Sequence, residues 1–208
     1  MDWKGYACMK IKICGLTREQ DIQAVNQWKP DYIGFVFAEK SRRYVSRQQA
    51  ARLKKNLSPD IQAVGVFVNE SKEKIVRLFM ENTIDIAQLH GQETEEEISW
   101  IKEQTGKPVI KAISINAESD VQYWQNSCAD YLLFDNGTGG TGLTFDWHLI
   151  KENKKPYFLA GGIGLHNITD AMKQKAYAID LSGGVETDGQ KDPKKIAEIV
   201  QIARRYRR

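Results

Sequence analysis

Short apolar runs and amphipathic stretches alternate eight times along the chain, and that beat restricts the fold more than any other feature. The apolar runs predict strands over residues 9–14, 31–37, 61–68, 84–89, 108–112, 131–134, 157–160 and 178–181. The stretches between and after them predict helices over 18–28, 47–56, 71–82, 93–104, 118–127, 146–153, 166–175 and 192–205. Thr17 and Ser46 are placed to cap the first two helices, and Pro30 closes the first. The run Tyr32-Ile33-Gly34-Phe35-Val36-Phe37 is nearly continuous in apolar character, as a strand buried on both faces of a parallel sheet must be. Repeated strand–helix units imply parallel βαβ connections. Eight of them predict an α/β fold, a (β/α)8 TIM barrel with a parallel eight-stranded sheet. An open doubly wound sheet is the alternative. The 208 residues suit one such domain, with residues 1–9 as an N-terminal extension.

Bulk composition narrows the function classes. A net charge of +3 spread over interspersed acids and bases gives no basic stripe, which argues against a nucleic-acid partner. No apolar run approaches the ~18 residues of a membrane span. The three cysteines, Cys8, Cys14 and Cys128, are odd in number, far apart and without metal-ligand spacing. They suit a reducing compartment, so a cytoplasmic protein is expected. The oligomeric state is left open between monomer and homodimer.

In a barrel of this kind the chemistry lies at the C-terminal ends of the strands. The first strand ends at Cys14, the fourth runs into His90, the sixth ends at Asp135, and the second leads to Arg42 and Arg43. Side chains alternate along a strand, so Lys12 and Cys14 share a face, and a lysine beside a thiol favours the thiolate. Gly161 and Gly162 follow strand seven, and Ser182, Gly183 and Gly184 follow strand eight. Glycines at both places let backbone N–H groups close on an anion, which points to phosphate. Asp180 has the parity to pair with Lys12 across the seam of the first and last strands. Lys12 is thus a candidate either to lower the thiol's pKa or to pair with Asp180. His90 is as well suited to packing as to function. His148 and His166 read as surface helix residues, and the glycine-rich segment 136–142 as a lid.

Several of these stretches occur together in one known family. Lys12-Ile13-Cys14-Gly15-Leu16-Thr17, Lys40-Ser41-Arg42-Arg43-Tyr44, Gln88-Leu89-His90-Gly91, Gly139-Gly140-Thr141-Gly142 and Ser182-Gly183-Gly184-Val185-Glu186 occur in an order that resembles the phosphoribosylanthranilate isomerases of tryptophan biosynthesis. The resemblance implies a cofactor-free, metal-free Amadori rearrangement of a small sugar-phosphate substrate. It implies Cys14 as general base, Asp135 as general acid and Arg43 as ligand of the anthranilate carboxylate. It implies Gly161, Gly162, Ser182, Gly183 and Gly184 as phosphate ligands. Cys8 and Cys128 stand apart as bystanders. The nearest rival is the ProFAR isomerase of histidine synthesis, which carries an aspartate where Cys14 stands. A non-catalytic phospho-ligand barrel would have no use for both Cys14 and Asp135.

Overall fold

The computed structural model describes residues 9–137 and 144–206; the expected lid residues 138–142, Cys8 and most of the N-terminal extension lie outside them. Eight strands close into a barrel in sequence order: β1 (Lys10–Cys14), β2 (Tyr32–Val36), β3 (Gln62–Phe67), β4 (Ile86–Leu89), β5 (Val109–Ser114), β6 (Tyr131–Asp135), β7 (Tyr157–Leu159) and β8 (Ala178–Leu181). All neighbours are parallel, and β1 pairs with both β2 and β8, which rules out the open sheet. Helices α1 (Glu19–Trp28), α2 (Arg47–Lys55), α3 (Lys72–Met80), α4 (Glu95–Thr105), α5 (Glu118–Trp124), α6 (Ile168–Lys173) and α7 (Pro193–Arg205) follow every strand except β6.

That exception corrects one expectation. Residues 146–153 form no α-helix; Trp147–Ile150 make a single 3-10 turn, with Asp146 accepting from the His148 N–H at 2.9 Å. Pro156 stands close behind, and a residue preceding proline is disfavoured in the α region, so the segment has no room for further turns. The cap of α1 differs too. Thr17 does not cap it; the buried carboxylate of Asp21 accepts from the backbone N–H groups of Thr17 and Arg18 at 2.9 and 3.0 Å. The helix starts at Glu19 with Arg18 at the N-cap, so Thr17 lies one residue outside the capping position. His166 lies in the turn before α6 rather than within the helix, because Asn167 holds that turn through Gly162 O and Gly164 N–H.

Register fixes which side chains enter the barrel. Lys12 stands opposite Tyr32 and Asp180, Cys14 opposite Gly34, Val66 opposite Gln88, and Ser114 opposite Asp135. Parallel partners share a face, so Lys12, Cys14, Gln88, Asp135 and Asp180 all project inward. At the N-terminal end the interior is closed by Lys10 on the Tyr177 hydroxyl at 2.7 Å, with Tyr32 and Tyr131 packed edge-on against Phe158. Gly34 matters at the other end: a Cβ there would lie 2.6 Å from Cys14 Sγ. Gly34→Ala is therefore expected to displace the thiol, read as lost turnover with the fold retained in circular dichroism.

A buried ion pair braces the rim outside the barrel. Lys111 Nζ lies 2.8 Å from Glu93 Oε2 and 2.7 Å from Gly91 O, while Glu93 accepts from the N–H groups of Asn69 and Gly91. One carboxylate thus ties the loops after β3 and β4 to β5, directly beside His90. Burial pushes the Glu93 carboxyl up, but Lys111 and the backbone N–H groups of Asn69 and Glu93 more than offset this and hold it below the usual range. A depressed folded pKa adds stability above the unfolded value of about 4.3 and loses it as pH falls through the folded value. Glu93→Gln is expected to flatten the acid side of the urea-unfolding pH profile. An unchanged acid limb would contradict that assignment.

Candidate active site

The C-terminal mouth of the barrel gathers the predicted residues from six strands and the loops that follow them. Cys14 ends β1 and is 8% exposed, packed against Val36 and Val66. Burial raises its thiol above the ordinary cysteine range; Lys12 and Lys191 pull it back in part, and Asp180 pushes it up. The Lys12 ammonium favours the thiolate, but burial outweighs it. The start of α1 contributes nothing direct: it lies beyond Arg18, and the Gly15 and Leu16 N–H groups both donate to Gly34 O. Alkylation of Cys14 by iodoacetamide, followed by mass, is expected to show a midpoint above that of an exposed cysteine. A midpoint below it would overturn this ordering.

Lys12 also pairs with Asp180 across the seam of β1 and β8. Its Nζ lies 2.9 Å from Asp180 Oδ2 with neither side chain open to solvent. Burial lowers the Lys12 pKa, but Asp180 and Cys14 raise it further, so the ammonium stays charged. Asp180 Oδ1 is buried and has no hydrogen-bond partner among the described residues.

Across the mouth, Asp135 ends β6 with its side chain 15% exposed and Oδ2 3.8 Å from His90 Nε2. His90 Nδ1 faces Gln88 Nε2 at 3.2 Å. Burial lowers the His90 pKa more than Asp135 raises it, so the imidazole is neutral at pH 7. Where Gln88 Nε2 donates to Nδ1, the neutral ring carries its proton on Nε2, facing Asp135. Gly161, at φ 85°, comes close enough that a Cβ would lie 3.4 Å from Asp135 Oδ1.

Arg43 turns inward over Gly15, and its side chain is 15% exposed against 60% for Arg42. Of the phosphate-loop candidates, Gly162 and Gly183 have N–H groups that donate to no described residue. Gly164 and Gly184 bring the two loops into contact. Ser182 Oγ donates to Cys14 O at 3.0 Å, which couples the eighth loop to the thiol's own backbone.

A family model for N-(5'-phosphoribosyl)anthranilate isomerase matches residues 11–202. The chain belongs to the phosphoribosylanthranilate isomerase family. The isomerase of that name from Endomicrobium trichonymphae is 48% identical over 200 residues, covering 94% of this chain and 98% of its own. The crystal structure of phosphoribosyl anthranilate isomerase from Thermus thermophilus superposes with a TM-score of 0.85 at 31% identity, covering 93% of this chain and 97% of the other. A phosphoribosyl anthranilate isomerase in complex with reduced 1-(o-carboxyphenylamino)-1-deoxyribulose 5-phosphate gives a TM-score of 0.83 at 34% identity, covering 94% and 98%.

Two residues near the phosphoribosylanthranilate isomerase motifs carry no role in the sequence reading. Glu186 closes the motif after β8, and Lys191 lies beyond it. They face each other across a hairpin of β9 (Glu186–Thr187) and β10 (Gln190–Lys191). Asp188 and Gly189 both have positive φ, so the connection is a two-residue turn of the kind Asp-Gly favours. That dipeptide between two short polar segments is the signal that could have revealed the pair.

Among the described residues no helix is long and apolar enough to cross a membrane.

Proposed function

We propose that this chain catalyses the third step from chorismate to L-tryptophan, an aldose–ketose isomerisation. N-(5-phosphoribosyl)anthranilate becomes 1-(2-carboxyphenylamino)-1-deoxyribulose 5-phosphate. The observation that carries this reading is the placement of Cys14 and Asp135, inward-facing at the ends of β1 and β6 at the same barrel mouth as the glycine loops.

Asp135, protonated, gives its proton to the furanose ring oxygen as the anilino nitrogen's lone pair forms the C1–N double bond. The C1–O bond breaks and the Schiff base opens. Cys14, as thiolate, removes the proton from ribose C2. The C2–H electrons form the C1–C2 double bond of an enolamine, which tautomerises to the ketone. No electrons leave the substrate, so the proposed step calls for proton transfers alone. Burial raises the Cys14 thiol, and the ammonium groups of Lys12 and Lys191 offset that in part, so the proposed base is the fraction of thiol that these two cations hold ionised. Arg43 is assigned the carboxylate, where a guanidinium is suited to bidentate contact. Gly161, Gly162, Ser182, Gly183 and Gly184 are assigned the phosphate. Lys12 and Asp180 are assigned to tuning the thiol, and His90 to orienting Asp135. The unpaired thiols of Cys14 and Cys128 support a cytoplasmic location.

The test is the decay of anthranilate-substrate fluorescence on adding the protein. Rapid decay is expected. No decay with this substrate, together with turnover of ProFAR, would contradict the reading.

A further inference from the structure

Four cationic and anionic side chains form a clasp beside the phosphate loops. Glu186 Oε1 accepts from Arg43 Nε at 2.6 Å and from Lys191 Nζ at 2.6 Å. Its Oε2 accepts from Arg43 Nη2 at 2.8 Å and Arg42 Nη2 at 2.9 Å. Glu186 is therefore the shared counter-ion of three cations, and the clasp keeps a surplus of two positive charges. Its side chain is 5% exposed and held from both sides. Lys191 reaches further, to Ser182 O at 3.0 Å, so the clasp is tied to the eighth loop.

The contact with Arg43 is side-on. It uses Nε and one hydrogen of Nη2. Nη1 and the second Nη2 hydrogen make no hydrogen bond to a described residue. These form the end-on edge of the guanidinium, which matches a carboxylate with two parallel N–H···O bonds. A guanidinium can therefore hold one carboxylate side-on and a second end-on. A free arginine gives up rotamer freedom when it is fixed. An arginine fixed in advance spares the ligand that cost.

We propose that Glu186 is a positioning residue for substrate selection: it holds Arg43 side-on so that its end-on edge is ready for the carboxylate on the substrate's aromatic ring. Lys191 keeps Glu186 in place and links this carboxylate grip to the phosphate loop. The inference rests on the assignment of Arg43 to the substrate carboxylate. The opposite role, a carboxylate that blocks Arg43 and must be displaced, is disfavoured by the hydrogen bonds that hold Glu186 from Arg42 and Lys191 as well.

The test compares N-(5-phosphoribosyl)anthranilate with N-(5-phosphoribosyl)aniline, which lacks the carboxylate, by the ketose formed. Glu186→Ala and Glu186→Gln are expected to raise KM for the carboxylated substrate about tenfold. The preference over the aniline compound should fall by the same factor. Arg43→Ala should collapse the preference, and Glu186→Ala should add nothing in that background. If Arg43→Ala collapses the preference while the Glu186 variants keep or improve it, Glu186 is not a positioning residue. The same follows if Glu186→Ala adds its full loss on top of Arg43→Ala. If Arg43→Ala leaves the preference intact, the assignment of Arg43 fails, and this inference with it. Should Glu186→Ala not fold with three cations left around it, Glu186→Gln, of nearly the same shape, carries the test.

Discussion

Asp135→Asn and Cys14→Ser are each expected to lower kcat by about 10²- to 10⁴-fold, the range of a single positioned acid or base. Binding of the reduced product analogue should be retained. Asparagine keeps the shape of Asp135 but has no acidic proton to give. His90 cannot replace it, since burial keeps the imidazole neutral and it stands 3.8 Å away. Serine keeps nearly the volume of Cys14, so Val36 and Val66 remain packed, but its hydroxyl does not ionise at neutral pH. The two losses should not multiply in the double variant, because acid and base act in consecutive steps and the slower of the two sets turnover. Turnover near the wild-type rate in either variant would remove that residue from its role.

Lys12→Met has the second large expected effect, and it shows in stability as well as rate. It leaves the Asp180 carboxylate buried beside an Oδ1 that already has no partner. Breaking a buried pair from one side costs about 3–5 kcal/mol, whereas an apolar replacement of both partners is often close to neutral. Lys12→Met should therefore be much less stable to urea than the Lys12→Met/Asp180→Leu double variant. The sign with pH also follows. The folded pKa of Lys12 is raised, so its contribution is complete below the unfolded value of about 10.4 and is lost as pH rises through the folded value. Loss of the ammonium also removes a charge that lowers the Cys14 pKa, so the alkaline limb of kcat/KM should move to higher pH. A single variant as stable as wild type would show that the pair is not ionised.

The barrel was legible in the sequence because strands buried on both faces leave unbroken apolar runs. Val109 to Ser114 shows the limit: Lys111 looks like an interruption, yet it faces outward and is satisfied by Glu93. Parity alone placed Lys12, Cys14 and Asp180 correctly on one inner surface. The sign of the Cys14 shift was not legible, because desolvation sums over strands distant in sequence while the helping lysine lies two residues away. The 3-10 turn at Trp147–Ile150 was missed because so short a segment reads the same for either helix type. Glu186 was visible as a letter in a motif. Its grip on Arg43 arises only when the loops after β2 and β8 meet, 143 residues apart in sequence.

The division of labour between Cys14 and Asp135 is the central claim, and a substrate deuterated at ribose C2 tests it most directly. In Cys14→Ser, removal of the C2 proton becomes the slow step, so a full primary isotope effect on turnover is expected. In Asp135→Asn, ring opening becomes slow before that bond is touched, and the isotope effect should vanish. An isotope effect that vanishes in Cys14→Ser and persists in Asp135→Asn would contradict the assignment.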